Sequence, residues 1–316
     1  MIQPAAFARI WGDAHASGGK ILTGKKQGDA VRLVVWSVLA MLAFAANSVL
    51  NRWAVGGGMI GPVAFGLIRL AAGAVVLAAL LGLRHWFVGG ALLAQARGRA
   101  AGVLGLLVYL LGFSVAYLAL DAGVGALILF GVVQITMFAG AVLARDAVPG
   151  LRWFGALLAF GGLTVLLAPV GGAVSLPHAG AMALAGLGWG IYSLAGRGQA
   201  DALAATAANF VLALPLGLLV LLVVPPGHVT GAGAALAVIS GAVTSGLGYT
   251  LWYRVVPQLG AARAGVVQLS VPLLAAFGGV LLGEAVGLRF ALAAGLVLLG
   301  VALGMVQAGG KSRAIR

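Results

Sequence analysis

The chain has 316 residues, of which 62% are hydrophobic and 8% charged, where ordinary soluble domains carry roughly 25% charged residues. A soluble globule of this size could not cover itself with so few polar side chains, so the composition selects an integral membrane protein whose main partner is the lipid bilayer. The net charge of +13 would suggest nucleic acid in a soluble protein, but cytoplasmic loops of membrane proteins gather Lys and Arg, and no nucleic-acid partner is expected.

Residues 1–31 are basic and read as an unstructured cytoplasmic tail. They lack an apolar core followed by a small-residue cleavage site, so no secretory signal is expected. A spanning helix needs about 20 apolar residues. Ten segments qualify, at about 33–54, 61–83, 101–120, 124–143, 151–169, 179–196, 203–224, 232–254, 258–282 and 288–307. Their runs are continuous, whereas strands of a membrane barrel alternate, so the predicted fold is all-α. Residues 308–316 form a second basic tail. With both termini inside, 16 of the 19 Lys and Arg residues fall on or beside the cytoplasmic face, Arg52 and Arg289 fall outside, and Arg69 lies within span 2. That asymmetry orients the chain in a cell (inner) membrane.

Polar groups inside spans tend to face the bundle interior. In span 1, Asn47 and Asn51 stand four apart, hence on one face. Arg69 lies eight residues into span 2. It can snorkel, bond backbone carbonyls or meet an anion, and the structural roles are favoured. Span 3 carries Tyr109, Phe113 and Tyr117 at four-residue spacing. Span 6 carries Trp189 and Tyr192, and span 8 carries Tyr249, Trp252 and Tyr253. Together with Gln134 and Gln268, these suggest a central cavity with aromatic walls and amide handles. Tyr117 and Tyr253 also suit an interfacial belt. Asn209, Thr244 and Ser245 read as contacts between helices.

Two stretches repeat a phrase. "LARDAVPGLRW" (143–153) and "LLGEAVGLRF" (281–290) each carry an acid, Asp146 or Glu284, before Ala-Val and a Gly-Leu-Arg. "GFSVAYL" (112–118) matches "GYTLWYR" (248–254) in the same way. The unit is five spans, residues 32–169 and 179–307. Five is odd, so the second copy enters from the opposite face, the inverted repeat of secondary transporters. Asp146 and Glu284 are expected to complement the positive end of the helix that follows each.

The stretch 245–303, with Pro272, then "GE" at 283–284 and a Gly-rich last span, resembles the EamA repeat of the drug/metabolite transporter superfamily. "NSVLNRWA" (47–54), "IRLAAG" (68–73) and "GVGALILFGVVQITM" (123–137) match the first copy more loosely. Gln134 stands near where the second repeat has Pro272, a departure from the pattern. The chain is most similar to ten-span bacterial exporters of amino acids and related metabolites, the YddG type. The resemblance implies export of a small-molecule substrate without a cofactor. Exporters of nucleosides, vitamins or organic cations are the alternative within the superfamily. Small four-span relatives that expel cationic drugs use a carboxylate in their first span. This chain has Asn47 and Asn51 there instead.

An enzyme is not expected. The four histidines lie in the tail or loops without metal-ligand spacing, and "GGKS" (309–312) lacks the first glycine of a phosphate-binding loop, Met305 standing there. A membrane-embedded transferase and a channel or scaffold remain as rival classes. The sequences "GVLLG" (279–283) and "GVALG" (300–304) could pair two copies, but internal packing and a monomer are the expectation.

Overall fold

The computed structural model describes residues 23–90, 98–143, 150–168, 174–196, 199, 201–268 and 270–306. Asp146 and Arg197 lie outside them, as does the side chain of Tyr253. The described secondary structure is helical apart from one isolated bridge between Ile60 and Val229. In order the helices are α1 (Thr23–Asn51), α2 (Pro62–Val88), α3 (Arg99–Ala116), α4 (Ala122–Leu143), α5 (Gly150–Leu167), α6 (Leu176–Gly196) and α7 (Ala202–Leu218). After these come α8 (Gly231–Ile239), α9 (Gly248–Gln268), α10 (Ser270–Leu281) and α11 (Leu288–Val306). Among the described residues seven helical stretches are long and apolar enough to cross a bilayer, and three shorter apolar helices accompany them. The chain is an all-α, multi-pass membrane protein.

Two segments are wound as π-helix: Arg52–Gly56, which ends α1, and Ser240–Leu247, which joins α8 to α9. Helical backbone therefore runs from Gly231 to Gln268, across the loop expected near 255–257. Pro257 does not end it, although an interior proline removes one backbone bond and crowds the carbonyl four residues before. The next described helical residues begin at Ser270, residue 269 lying outside the described residues. Pro272 then occupies the first turn of α10, where a missing N–H costs little.

Polar contacts sort the connections into two groups. Arg52, at the end of α1, reaches Asp121 before α4 and Glu284 before α11. The Gly61 N–H donates to the His228 carbonyl at 2.8 Å. Arg289 donates to the Ala168 carbonyl at 3.0 Å. These contacts join the links that follow α1, α3, α5, α7 and α10. The last turns of α2 meet the start of α7 through Arg84 and Asp201, 2.6 Å apart.

Helix packing shows a regular exchange. Counting α8, its π turn and the start of α9 as span 8, α10 as span 9 and α11 as span 10, span 3 packs on 6 as 8 packs on 1. Span 4 packs on 6 as 9 packs on 1. Spans 2 and 7, 4 and 9, and 5 and 10 pair with each other. Adding five to each number reproduces the set. Small residues permit the closest approaches. A Cβ on Gly105 would lie 2.7 Å from the Gly188 carbonyl, and one on Gly188 would lie 2.6 Å from the Gly105 carbonyl. Backbone thus meets backbone between α3 and α6, as membrane packing favours.

Asp201 holds the start of α7. Its Oδ1 accepts from the Ala204 N–H at 3.0 Å, and its two oxygens accept from Arg84 at 2.9 and 2.6 Å. Partial burial pushes its carboxyl pKa up, but the bonds from Arg84 and Ala204 outweigh this and hold it below the usual value. A depressed carboxyl stabilises the fold above its unfolded pKa, and the contribution is lost as pH falls through the folded one. Asp201→Ala should cost about 1 kcal/mol of stability at pH 7, mostly from the lost cap. The gap to wild type should narrow below about pH 4, as protonation weakens the pairing with Arg84. Melting of the detergent-solubilised protein from pH 7 to 3 measures both, and a gap independent of pH would refute the assignment.

Candidate functional site

The π turn Ser240–Leu247 widens the helix, because its bonds run from i to i+5. Residues four and five positions apart then flank one line. Ser240, Thr244 and Ser245 all turn toward Asn47 on α1, whose Oδ1 accepts from Ser240 Oγ at 2.8 Å, from Thr244 Oγ1 and from Ser245 Oγ at 3.5 Å. Gly241 lets this turn lie against α2, since a Cβ there would stand 2.2 Å from the Arg69 carbonyl oxygen.

Arg69 is fully buried. Neither snorkelling nor a bond to a backbone carbonyl describes it, the two structural roles favoured from sequence. Its Nε donates to Ser245 Oγ at 2.8 Å, and its Nη2 donates to the hydroxyls of Tyr109 and Tyr249 at 2.9 and 2.8 Å. The Tyr249 hydroxyl donates in turn to that of Tyr109 at 3.0 Å. The guanidinium carbon stands 5.2 Å from the Tyr109 ring centre and 5.0 Å from that of Phe113, a cation–π arrangement. Hydroxyls and rings from α3, the π turn and α9 thus surround this one cation, carried by α2, and no carboxylate is among them.

Aromatic rings continue outward from this centre. Trp189 lies 4.9 Å from Tyr109, 4.7 Å from Tyr249 and 5.3 Å from Tyr192, all between ring centres. Phe44 on α1 contacts Trp189, Tyr249 and Trp252 edge-on at 5.5–5.8 Å. Asn51 Nδ2 donates to Ser114 Oγ at 3.1 Å. The structure therefore brings Asn47, Arg69, Tyr109, Phe113, Trp189, Tyr192, Tyr249 and Trp252 into one connected cluster, with Asn51 one turn further along α1 and bonded to Ser114. Phe44 meets its neighbours edge-on, the rings of Tyr109, Trp189 and Tyr249 are tilted against one another, and Trp189 stacks on Tyr192.

Gln134 is half-buried on α4, and Gln268 is buried at the end of α9. Neither bonds to the cluster. Tyr117 is fully buried and bonds the Ala122 carbonyl at 3.2 Å, so a belt position is excluded. Asn209 accepts from Arg99 at 2.8 Å, a contact between α7 and α3. Sequence reasoning missed Phe44, Ser114 and Ser240. Phe44 could have been found three residues before Asn47 on the same face. The π turn that recruits Ser240 leaves no mark in composition.

Glu284 departs from expectation. It stands four residues before α11 and does not cap that helix. Its Oε2 accepts from the Ala122 N–H at 2.8 Å, at the first residue of α4, while its Oε1 accepts from Arg52 Nε at 2.8 Å. The carboxylate complements a helix start, but that of a distant helix. Its partner phrase around Asp146 lies outside the described residues.

The sequence profile of the EamA-like transporter family matches residues 178–306. An uncharacterized protein of Pseudomonas aeruginosa is 46% identical over 274 residues, covering 86% of this chain and 94% of that one. The chain belongs to the EamA-like transporter family. It is therefore a membrane transporter of small molecules. One crystal structure is similar with a TM-score of 0.62 at 20% identity, covering 86% of this chain and 98% of the other, which shows a shared fold. Within the family fold, the buried polar cluster lies where helices from both halves of the chain converge.

Proposed function

We propose that the protein exports small metabolites, amino acids with aromatic or apolar side chains among them, across the cell inner membrane by alternating access. The observation that carries this reading is the buried cluster around Arg69, built from α1, α2, α3, α6, the π turn and α9. Aromatic surface there suits an apolar side chain, and hydroxyls and amides suit the polar end. A buried arginine without an acid beside it disfavours organic cations, which would meet repulsion and full desolvation. The pairing of helices under a shift of five spans supports two inverted repeats, 32–169 and 179–307. With the basic loops inside, both termini are cytoplasmic.

Purified protein in liposomes loaded with labelled amino acids tests the substrate. Saturable exchange of leucine or phenylalanine is expected, and Trp189→Ala or Asn47→Ala should lower it at least tenfold while the protein still inserts. Saturable transport of a nucleoside or cation, with no amino acid competing, would overturn the amino-acid reading.

Topology has its own test. Single cysteines at Ala147 and Ala285 should label from opposite faces of the membrane, and labelling from one face would refute the inverted repeat.

A further inference from the structure

Arg69 carries more binding capacity than its own partners use. A guanidinium has five N–H groups. Nε and Nη2 are occupied by Ser245, Tyr109 and Tyr249, while Nη1 is buried with no acceptor. Every partner is neutral, so the positive charge of this fully buried group is not balanced by a carboxylate. A charge at mid-span is costly even when it is bonded, and a neutral side chain could tie the same hydroxyls together. The cost is explained when an anion completes the site.

A second donor points the same way. Trp189 Nε1 is buried without an acceptor, and its ring packs on Tyr109 and Tyr249, the two residues that hold Arg69. Neither donor depends on how an amide is turned. Asn47 Nδ2 is also without an acceptor, and its Oδ1 shares Ser245 with Arg69. One acceptor is unpartnered nearby: Asn51 Oδ1, one turn further along α1, on an amide that donates to Ser114 beside Phe113.

We propose that this cluster is a carboxylate-recognition site. The substrate carboxylate takes Arg69 Nη1 and the Trp189 indole N–H, and an ammonium group, where the substrate has one, is met by Asn51 Oδ1. The inference rests on the transport reading and narrows it: the carboxylate is required and the amine is not. A single arginine balances a monoanion, so a phosphate dianion would remain undercompensated. Decarboxylated amines would place a cation beside Arg69 and are excluded.

The test holds molecular shape constant and varies charge. The purified full chain in detergent is melted with phenylalanine, 3-phenylpropionate, phenylalaninamide and phenethylamine, and the same four compete for exchange in liposomes. Phenylalanine and 3-phenylpropionate should stabilise and compete at concentrations about 30-fold lower than the amide or the amine, as expected for a charged hydrogen bond lost from a buried site. Arg69→Gln should erase that preference. Trp189→Phe keeps a ring and removes the N–H, so it should weaken both carboxylates several-fold with little change in the ligand-free melting point. If Arg69→Gln fails to insert, the wild-type series and Trp189→Phe decide alone. Equal action of phenylalanine and its amide would overturn the carboxylate site while leaving amino-acid transport standing. Action of 3-phenylpropionate without phenylalanine would do the reverse. No response to either carboxylate would overturn the proposal.

Discussion

Glu284→Ala should lower the melting midpoint of the detergent-solubilised protein by roughly 5–10 °C, the scale expected when one member of a largely buried ion pair is removed. Glu284 has 11% of its side chain exposed, and Arg52 24%. The variant leaves Arg52 with only the 3.4 Å contact to Asp121, and it leaves the Ala122 N–H without the side-chain oxygen it donates to. Glu284→Gln should cost less, because an amide oxygen can still accept from Ala122. Arg52→Met combined with Glu284→Met should recover much of the loss, since the pair then leaves no orphaned charge. Transport per folded molecule should persist in Glu284→Gln, with its pH dependence unchanged. Loss of proton dependence in a well-folded Gln variant would show that this carboxylate couples transport rather than joins helices.

The case of Glu284 also shows where sequence reading stops. That an acid in this phrase would serve a helix start was legible, because a carboxylate in an apolar chain needs a positive partner. Which start it serves was not. Nearness in sequence pointed to α11, whereas tertiary packing brings the first residue of α4 and Arg52 to within 2.8 Å. Arg69 follows the same pattern. Its oddity is visible from hydropathy alone, and so are the aromatic faces of α3, α6 and α9, because three- and four-residue spacings put side chains on one stripe. Its surroundings depend on a π turn that brings Ser240, Thr244 and Ser245 to one side, and no residue type marks a change from i→i+4 to i→i+5 bonding. The apolar runs gave the helices, but the loop expected near Pro257 was overridden by continuous helical backbone. The helix runs on through Pro257 despite the bond its ring removes, so tertiary context and not local propensity decides there.

Tyr109→Phe combined with Tyr249→Phe should be the most damaging conservative change in the molecule. Each substitution removes one oxygen and leaves the ring, so packing with Phe44, Trp189 and Phe113 is retained. What is lost is every acceptor of Arg69 Nη2, leaving the buried guanidinium with Ser245 alone. Orphaning a buried charge costs about 3–5 kcal/mol, enough to lower the folded yield sharply in a protein of ordinary marginal stability. Adding Arg69→Met removes the charge that made the hydroxyls necessary. The triple variant should therefore insert and melt near wild type, because an apolar side chain in an apolar centre needs no partner. It should not transport. Single variants should fall between, each keeping one hydroxyl on Nη2. Purification yield, melting in detergent and exchange in liposomes measured on one set of variants separate the two roles. A double variant as stable as wild type would mean that the tyrosines do not hold Arg69. A triple variant that still carries substrate would mean that transport does not need the arginine at all.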